Sequence, residues 1–135
     1  MAIARRNATP RPPKPAPRPE RLAAFGLGIS AESRAAPWLI AHGYHILARR
    51  CKSALGEIDI IAARRHTLIF VEVKARATLD AAAESVTGRQ KQRIAAAAEI
   101  WLAANPLPAI RDIRFDAILV ARGKLPRHIQ AAFES

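Results

Sequence analysis

Short apolar stretches alternate with brief polar breaks in the middle of this chain, which is the pattern of β-strands joined by tight turns. Residues 56–63 and 67–74 are both rich in β-branched and other apolar side chains, and only Arg64, Arg65 and His66 separate them. Runs of this length and composition favour strands, and so short a break leaves room only for a tight reversal. The sequence therefore predicts a β-hairpin over residues 56–74.

A reversal centred on the polar break determines which residues of the hairpin face each other. It places Asp59 opposite Glu72 and Glu57 opposite Lys74. Because side chains alternate between the two faces of a strand, all four project from one end of the same face. Apolar residues continue that face at its other end: Ile61, Leu68 and Phe70. The opposite face is predicted to be entirely apolar, with Ile58, Ile60, Ala62, Ile69, Val71 and Val73.

The length of the turn decides whether this register is correct. Arg65 and His66 are not of the Asn-Gly or Gly type that favours two-residue hairpin turns, so a longer loop is an alternative. A symmetric four-residue loop keeps the same partners. A slip of one residue would instead move Asp59 to the opposite face.

The facing carboxylates of Asp59 and Glu72 require an explanation, because like charges directly opposite each other destabilise a sheet. Burial without a cation would force one of them to take up a proton, whereas a divalent metal would favour both as anions. Two hard oxygen ligands, with open positions for water and phosphate, suit Mg²⁺ or Mn²⁺. Lys74 points the same way, where a lysine can orient or deprotonate a water or neutralise charge on a phosphate.

Helical and strand patterns surround the hairpin. Residues 22–42 have apolar side chains at helical spacing with Gly43 as a C-cap, although a start capped by Ser30 is an alternative. Thr87 caps a second helix that ends near Asn105, with a packing stripe of Ile94, Ala97, Ala98, Trp101 and Leu102. Strands are predicted over residues 44–50 and 114–121, a loop over residues 77–86, and a short helical turn or strand over residues 128–133.

Composition limits the chain to a single domain with a basic surface. Half of the 135 residues are apolar, which is enough for one moderate core. Residues 1–21 are proline-rich and almost free of apolar side chains, so we expect a disordered basic tail followed by an α/β domain over residues 22–135. The formal charge of +11 points to a polyanion such as nucleic acid, although ribosome association or nonspecific adhesion would give the same composition.

The chain lacks the patterns of several other classes of protein. No uncharged apolar run is long enough to cross a bilayer and no secretory signal is recognisable, so we expect a cytoplasmic protein, with a cleaved Arg-rich targeting peptide as the minor alternative. Cys51 is the only cysteine, which excludes an intrachain disulfide and a cysteine-based zinc site. The four histidines have no metal-ligand spacing and are interpreted as ordinary surface or half-buried residues.

The hairpin carries a string of residues that resembles the signature of the YraN-like bacterial proteins: Gly56-Glu57-Ile58-Asp59 and, after a gap, Phe70-Val71-Glu72-Val73-Lys74-Ala75-Arg76. This largely uncharacterised family is placed in the PD-(D/E)xK nuclease superfamily, near the archaeal Holliday-junction resolvases. The resemblance runs from about Phe25 to Phe133 and includes Arg114-Phe115-Asp116 and His128-Ile129. It implies a restriction-endonuclease-like αβββαβ core, with a central mixed sheet flanked by helices, and a metal-dependent endonuclease that acts on DNA, including branched or structured DNA.

The resemblance also implies roles for single residues. Asp59 and Glu72 would hold Mg²⁺ or Mn²⁺, and Lys74 would position a water as a third catalytic residue. Glu32 would face the acidic pair from the first helix, although a lone glutamate in a first helical turn is more often a favourable partner of the helix dipole. Glu57 would pair with Lys74 and fix its direction, or form a plain cross-strand ion pair.

Basic and polar residues near the site are candidates for contacts with nucleic acid. Arg49, Arg50 and Lys52 end the strand before the hairpin, where they either meet a phosphate backbone or form a solvated edge that discourages aggregation. Arg76 closes the family signature. Lys91 corresponds to a basic residue in the family's second helix, with a solvated helix face as the alternative. Further polar candidates are Gln90 or Gln92, and Asp116, which either supports the site or pairs with a neighbouring arginine.

Two further functions are compatible with these patterns. One is a nucleic-acid-binding or assembly protein that keeps the nuclease fold without catalysis, and the other is a protein-interaction module that uses the proline-rich tail. The intact Asp59, Glu72 and Lys74 favour the nuclease, because a purely binding protein gains nothing from carboxylates that repel phosphate. A homodimer is expected only by analogy with the junction resolvases.

Overall fold

The computed structural model describes residues 33–133, which form a five-stranded sheet with helices packed against both faces. The predictions for the tail (residues 1–21), for Ser30 and for Glu32 lie outside the described residues. The elements in chain order are α1 (residues 33–41), β1 (His45–Ser53), β2 (Gly56–Arg64), β3 (Thr67–Ala75), α2 (Leu79–Glu84), α3 (Gly88–Ala104), β4 (Asp112–Val120) and β5 (Arg127–Ile129).

The sheet is mixed, with the strands in the order β1-β2-β3-β4-β5. β3 and β4 are parallel, and all other neighbouring strands are antiparallel. A parallel pair requires a crossover connection, which α2 and α3 provide. The protein is therefore an α/β fold compatible with a restriction-endonuclease-like core, as predicted.

Two short elements refine the sequence-based expectation. The loop predicted over residues 77–86 is wrong, because this segment contains α2. Thr78 Oγ1 accepts a hydrogen bond from the Ala81 backbone nitrogen at 3.0 Å, and the alanines that follow have high helix propensity. At the C-terminal end, β5 decides between the helical turn and the strand predicted from residue 128, in favour of the strand.

The hairpin of β2 and β3 has the predicted register. The pairs run from Arg64 opposite Thr67 to Ile60 opposite Val71. Beyond Ile60 and Val71 the regular pairing of these two strands ends. The prediction of the register is therefore confirmed up to the residue that precedes the acidic end of the hairpin.

The turn between β2 and β3 consists of Arg65 and His66 alone, although neither is a favourable residue for a two-residue turn. Arg65 adopts a φ of 57°, which lies in the left-handed region. The His66 carbonyl accepts hydrogen bonds from the backbone nitrogens of Arg111 at 2.8 Å and Asp112 at 3.1 Å. These bonds tie the turn to the start of β4 and offset its unfavourable sequence.

Apolar clusters cover both faces of the sheet and divide the hairpin residues as predicted. On one side, called the α1 face, Ile60, Ala62, Ile69 and Val71 pack with Ala35, Ala36 and Leu39. On the other side, called the α3 face, Ile61, Leu68 and Phe70 pack with Ile94, Ala97 and Ala98. Trp101 packs edge-on against Phe70 with 6.0 Å between ring centroids, so its predicted role in the core is confirmed.

Ile58 is an exception to the predicted alternation. It packs in the cluster of the α3 face rather than with Ile60 and Ala62. The change occurs where Arg50 of the neighbouring strand has a φ of 49°, a left-handed value that is uncommon for residues other than glycine. Because strict alternation requires regular extended backbone, this irregularity allows Ile58 and its partner Cys51 to pack on the α3 face.

A buried polar network lies on the α1 face, centred on Asp116, which is 0% exposed. Its carboxylate is bonded to Arg114 Nε at 2.8 Å, Arg114 Nη2 at 2.9 Å, His128 Nε2 at 2.7 Å and the Ala131 backbone nitrogen at 3.0 Å. Arg114 Nη2 also donates to the Tyr44 hydroxyl at 2.9 Å. Asp116 thus pairs with its neighbouring arginine, the second of its two predicted roles. His128 is half-buried, as predicted, and its ring is bonded to Asp116.

These contacts determine the ionisation of Asp116. Burial acts to raise the pKa of its carboxyl group, but the bonds from His128, Arg114 and the Ala131 backbone outweigh burial and lower the pKa below its ordinary value. The bond to Asp116 also raises the pKa of Arg114 above its ordinary value. A carboxyl group with a lowered pKa stabilises the fold above its ordinary pKa of about 3.9, and this contribution is lost as the pH falls.

Asp116→Asn is expected to lower the free energy of unfolding at neutral pH by roughly 3 kcal/mol, because it leaves the buried donors of Arg114 and His128 without an anion. The difference from wild type should shrink as the pH falls below about 4, where the wild-type carboxylate also loses its stabilising charge. Urea unfolding at a series of pH values measures both effects. Asp112→Asn, at an exposed position of the same strand, is the matched control, and equal stability of the two variants at neutral pH would contradict the expectation.

Candidate active site

The acidic residues of the hairpin line a pocket between the sheet and the start of α3. The pocket encloses about 210 Å³. This is less than the roughly 300–1,000 Å³ of pockets for drug-sized ligands. The lining residues are Gly56, Glu57 and Asp59 from β2, Glu72 from β3, and Gln90, Arg93 and Ile94 from α3. Four predicted site residues, Glu57, Asp59, Glu72 and Gln90, therefore meet at one pocket.

Asp59 lies where β2 and β3 stop pairing. Its Oδ2 accepts a hydrogen bond from the Val73 backbone nitrogen at 2.8 Å. The carboxylate therefore takes the place of a backbone carbonyl as the partner of β3, and the predicted backbone pairing of Asp59 with Glu72 is absent from the β2–β3 ladder. Because this bond fixes one carboxylate oxygen against the strand, the direction of the Asp59 side chain is determined by the backbone itself.

Lys74 is a buried cation at the acidic end of β3, with 7% of the residue exposed. Its Nζ lies 3.3 Å from Glu72 Oε1, and Glu72 is two residues before it on the same face of the strand. The structure thus pairs Lys74 with Glu72 rather than with the predicted partner Glu57. Because β2 and β3 stop pairing before this point, Glu57 is not held opposite Lys74 and is exposed at the rim of the pocket.

The start of α3 approaches β2 closely at Gly56. A Cβ atom at this position would lie 3.8 Å from both Arg93 Cβ and the Arg93 carbonyl oxygen, and Gly56 has a φ of 149° that other residues rarely adopt. Gln90 stands at the same end of the helix, where its Oε1 lies 3.5 Å from the backbone nitrogen of the N-cap residue Thr87. Both distances are ordinary van der Waals contacts, so the positive φ, and not a lack of space, favours glycine at this position.

Arg93 lines the pocket but is missing from the residues that the sequence suggests for the site. The available signal is helical spacing: Gln90, Arg93 and Ile94 lie three and four residues apart and so share one face of α3. Lys91, which the family resemblance suggests instead, is not among the lining residues. The structure thus adds one guanidinium group to a pocket with three carboxylates.

The other basic residues predicted to bind nucleic acid lie outside the pocket. Arg49, Arg50 and Lys52 are exposed on β1. In the β1–β2 register, Lys52 lies opposite Glu57, which is at the rim of the pocket. Arg76 is exposed directly after β3, and its Nη1 donates to the Ala75 carbonyl at 2.7 Å. Contacts between these residues and nucleic acid stay a prediction.

The carboxylates of the pocket fit a divalent cation in their chemistry. Asp59, Glu72 and Glu57 offer hard oxygen ligands, which Mg²⁺ and Mn²⁺ prefer. Mg²⁺ is commonly bound through one or two carboxylates and keeps several waters, so an acidic pair is a sufficient protein contribution. Within residues 33–133, no group of three or more His, Cys, Asp or Glu side chains is arranged to hold a metal. Glu32, the predicted additional acid, lies outside this range.

The fold and the pocket define an α/β protein with a restriction-endonuclease-like mixed sheet and an acidic site beside its central hairpin. The profile of the uncharacterised protein family UPF0102 matches residues 31–120, which contain β1 to β4 and every residue that lines the pocket. The chain belongs to this family, which is the YraN-like family that its signature resembles.

Relatives in three bacterial genera resemble the chain over most of its length. A UPF0102 protein of Rhodopseudomonas palustris (strain BisB5) is 60% identical over 128 residues, which cover 95% of this chain and 98% of the relative. A UPF0102 protein of Bradyrhizobium sp. (strain BTAi1) is 58% identical over 135 residues, which cover 100% of this chain and 98% of the relative. A UPF0102 protein of Nitrobacter winogradskyi is 56% identical over 115 residues, which cover 85% of this chain and 98% of the relative. These names give a family and no activity.

α3 has 17 residues and carries several exposed charged side chains. Between residues 33 and 133, no helix is both long enough and apolar enough to cross a membrane.

Asp59→Ala is expected to lower the free energy of unfolding by about 1–3 kcal/mol, because it leaves the Val73 backbone nitrogen without its acceptor. Asp59→Asn keeps a side-chain oxygen at this position and should be closer to wild type. Thermal and urea unfolding of the two variants measure the difference. Equal destabilisation by both substitutions would show that the hydrogen bond to Val73 does not hold this end of the hairpin.

Proposed function

We propose that this protein is a metal-dependent endonuclease that hydrolyses DNA phosphodiester bonds, with branched or structured DNA as the preferred substrate. One observation carries the proposal: Asp59 and Glu72 line the same pocket, and the buried ammonium of Lys74 lies 3.3 Å from Glu72. Two carboxylates with an adjacent lysine supply the groups that phosphodiester hydrolysis needs, namely metal ligands and a cation near the reacting water.

Asp59 and Glu72 would hold Mg²⁺ or Mn²⁺ in this site. When bound, such an ion lowers the pKa of a coordinated water and stabilises the negative charge that develops on the scissile phosphate. The fixed direction of the Asp59 carboxylate supports this role, because the bond from Val73 restrains it before any ligand arrives.

Lys74 and Arg93 have separate tasks in the proposed reaction. Lys74 does not itself line the pocket, but its Nζ lies 3.3 Å from Glu72 Oε1, and from this position it would orient the attacking water. Arg93 reaches the pocket from α3 and is exposed, which suits contact with the substrate phosphate. Together these two cations offset the negative charge that the carboxylates would otherwise present to a nucleic acid.

The charge of the whole protein supports a nucleic-acid substrate. Lys and Arg number 22 against 11 Asp and Glu, and this excess of positive charge attracts a polyanion at long range. We propose a cytoplasmic location, with DNA rather than RNA as the partner. A homodimer would match the two-fold symmetry of a branched substrate.

In the proposed nuclease, Asp59→Asn and Glu72→Gln should each lower the rate of metal-dependent DNA cleavage by at least about 100-fold, because each removes a charged ligand while nearly preserving its shape. Lys74→Met should have a comparable effect on the rate. Cleavage of labelled linear, flapped and four-way-junction DNA in Mg²⁺ and in Mn²⁺ measures these rates and identifies the substrate.

Glu99→Gln is the control for this series, because Glu99 is exposed on α3 and does not line the pocket. Its cleavage rate should equal that of wild type. Wild-type protein that binds these DNAs but cleaves none of them in either metal would contradict the proposal. That outcome would favour a nucleic-acid-binding protein that keeps the fold without catalysis.

A further inference from the structure

The parallel pairing of β3 and β4 places the segment after β4 beside the acidic pocket. Ala75 at the end of β3 lies opposite Val120 at the end of β4, and the Arg76 backbone nitrogen donates to the Val120 carbonyl at 3.2 Å. Glu72 and Lys74 lie just before this end of β3. The turn from β4 into β5 therefore lies at the same end of the strands as the candidate site.

Four exposed cations lie at this end of the sheet: Arg76, Arg122, Lys124 and Arg127. We call them the basic edge. Residues 117–133 contain no Asp or Glu, so the chain supplies no acidic neighbour within the segment. Among residues 33–133, none of the four forms an ion pair with a carboxylate. Within this part of the chain, no carboxylate competes with an external anion for these charges.

The backbone of the turn is held in place by α1. Arg34 Nη1 donates to the Ala121 carbonyl at 3.1 Å, and Arg34 Nη2 donates to the Lys124 carbonyl. The Lys124 backbone nitrogen bonds to the Ala121 carbonyl at 3.2 Å, and Gly123 between them has a φ of 74°. A turn restrained in this way presents its cations with less loss of conformational freedom on binding than a loose loop would.

Arg127 also lies on the same face of the sheet as the acidic residues. Lys74 is opposite Leu119 across β3 and β4, and Leu119 is opposite Arg127 across β4 and β5. Directly opposed residues share a face, and neighbouring strands lie about 4.8 Å apart, so roughly 10 Å separates the backbones of Lys74 and Arg127. This distance corresponds to a few nucleotides along one strand of a nucleic acid.

We propose that the basic edge binds the phosphate backbone of a nucleic acid next to the phosphate that enters the acidic pocket. This inference rests on the proposed nucleic-acid substrate and adds a binding surface to it. An extended polyanion fits because its phosphates recur at short intervals, so that one can lie in the pocket while its neighbours contact the exposed arginines. The surface contacts phosphates only, so it contributes affinity without sequence preference.

A pair of matched double variants tests the surface. Arg122→Gln with Arg127→Gln removes two charges from the basic edge. Arg65→Gln with Arg111→Gln removes two exposed arginines from the opposite end of the same strands, the β2–β3 turn and the start of β4. Both double variants have the same net charge, so a difference between them reports the position of the charges and not their number.

Binding is measured by fluorescence anisotropy on labelled duplex and four-way-junction DNA without divalent metal, at salt concentrations from about 50 to 200 mM. Loss of two phosphate contacts should reduce the slope of log Kd against log salt by about 2 for the basic-edge variant. The Arg65 and Arg111 variant should keep the wild-type slope. Circular dichroism spectra and thermal unfolding of both variants verify that each is folded.

The outcomes separate this inference from the proposed nuclease activity. Equal slopes for the two double variants would overturn the basic edge, even if wild-type protein cleaves DNA. A reduced slope only in the basic-edge variant supports the surface, even if wild-type protein cleaves nothing and the nuclease proposal fails. Absence of any DNA binding by wild type would overturn both.

Discussion

β3 pairs with β2 on one side and with β4 on the other, so its side chains can occupy only one register. A shift by one residue would move Phe70 and Leu68 out of the α3-face core and Ile69 and Val71 out of the α1-face core. Each of these side chains would then have to pack in the core of the opposite face, which has a different shape, and the cost of that misfit holds the register. The same register places Glu72 and Lys74 beside the pocket, so the position of the acidic site follows from the packing of the core.

The charged side chains on the two faces of the sheet have different surroundings. On the α1 face, Asp116 has donors on both carboxylate oxygens, and the lowered pKa of this group reflects their combined effect. Such a network fixes the C-terminal segment against β4 and has no need of a ligand. On the α3 face, Glu57, Asp59 and Glu72 line an open pocket that Arg93 enters from α3. Only the second arrangement leaves space for a substrate.

The sequence is sufficient to predict the structure where regular alternation and local signals determine it. The position of the polar break predicts the register of the hairpin, and Thr87 with the apolar stripe that follows it predicts α3. The face predicted for Ile58 is wrong, because this face depends on the left-handed backbone of Arg50 in another strand. The His128–Asp116 bond is likewise a product of tertiary packing, which brings together residues that no local pattern connects.

Titration with Mn²⁺ tests whether the acidic pair beside Lys74 is the proposed metal site, without requiring the natural substrate. The signal of free Mn²⁺ in electron paramagnetic resonance reports how much of the ion the protein has bound. Wild-type protein is expected to bind Mn²⁺, and Glu72→Gln is expected to weaken binding at least about 10-fold without unfolding the chain. Equal binding by both proteins, or no binding by the folded wild type, would contradict the proposed metal site.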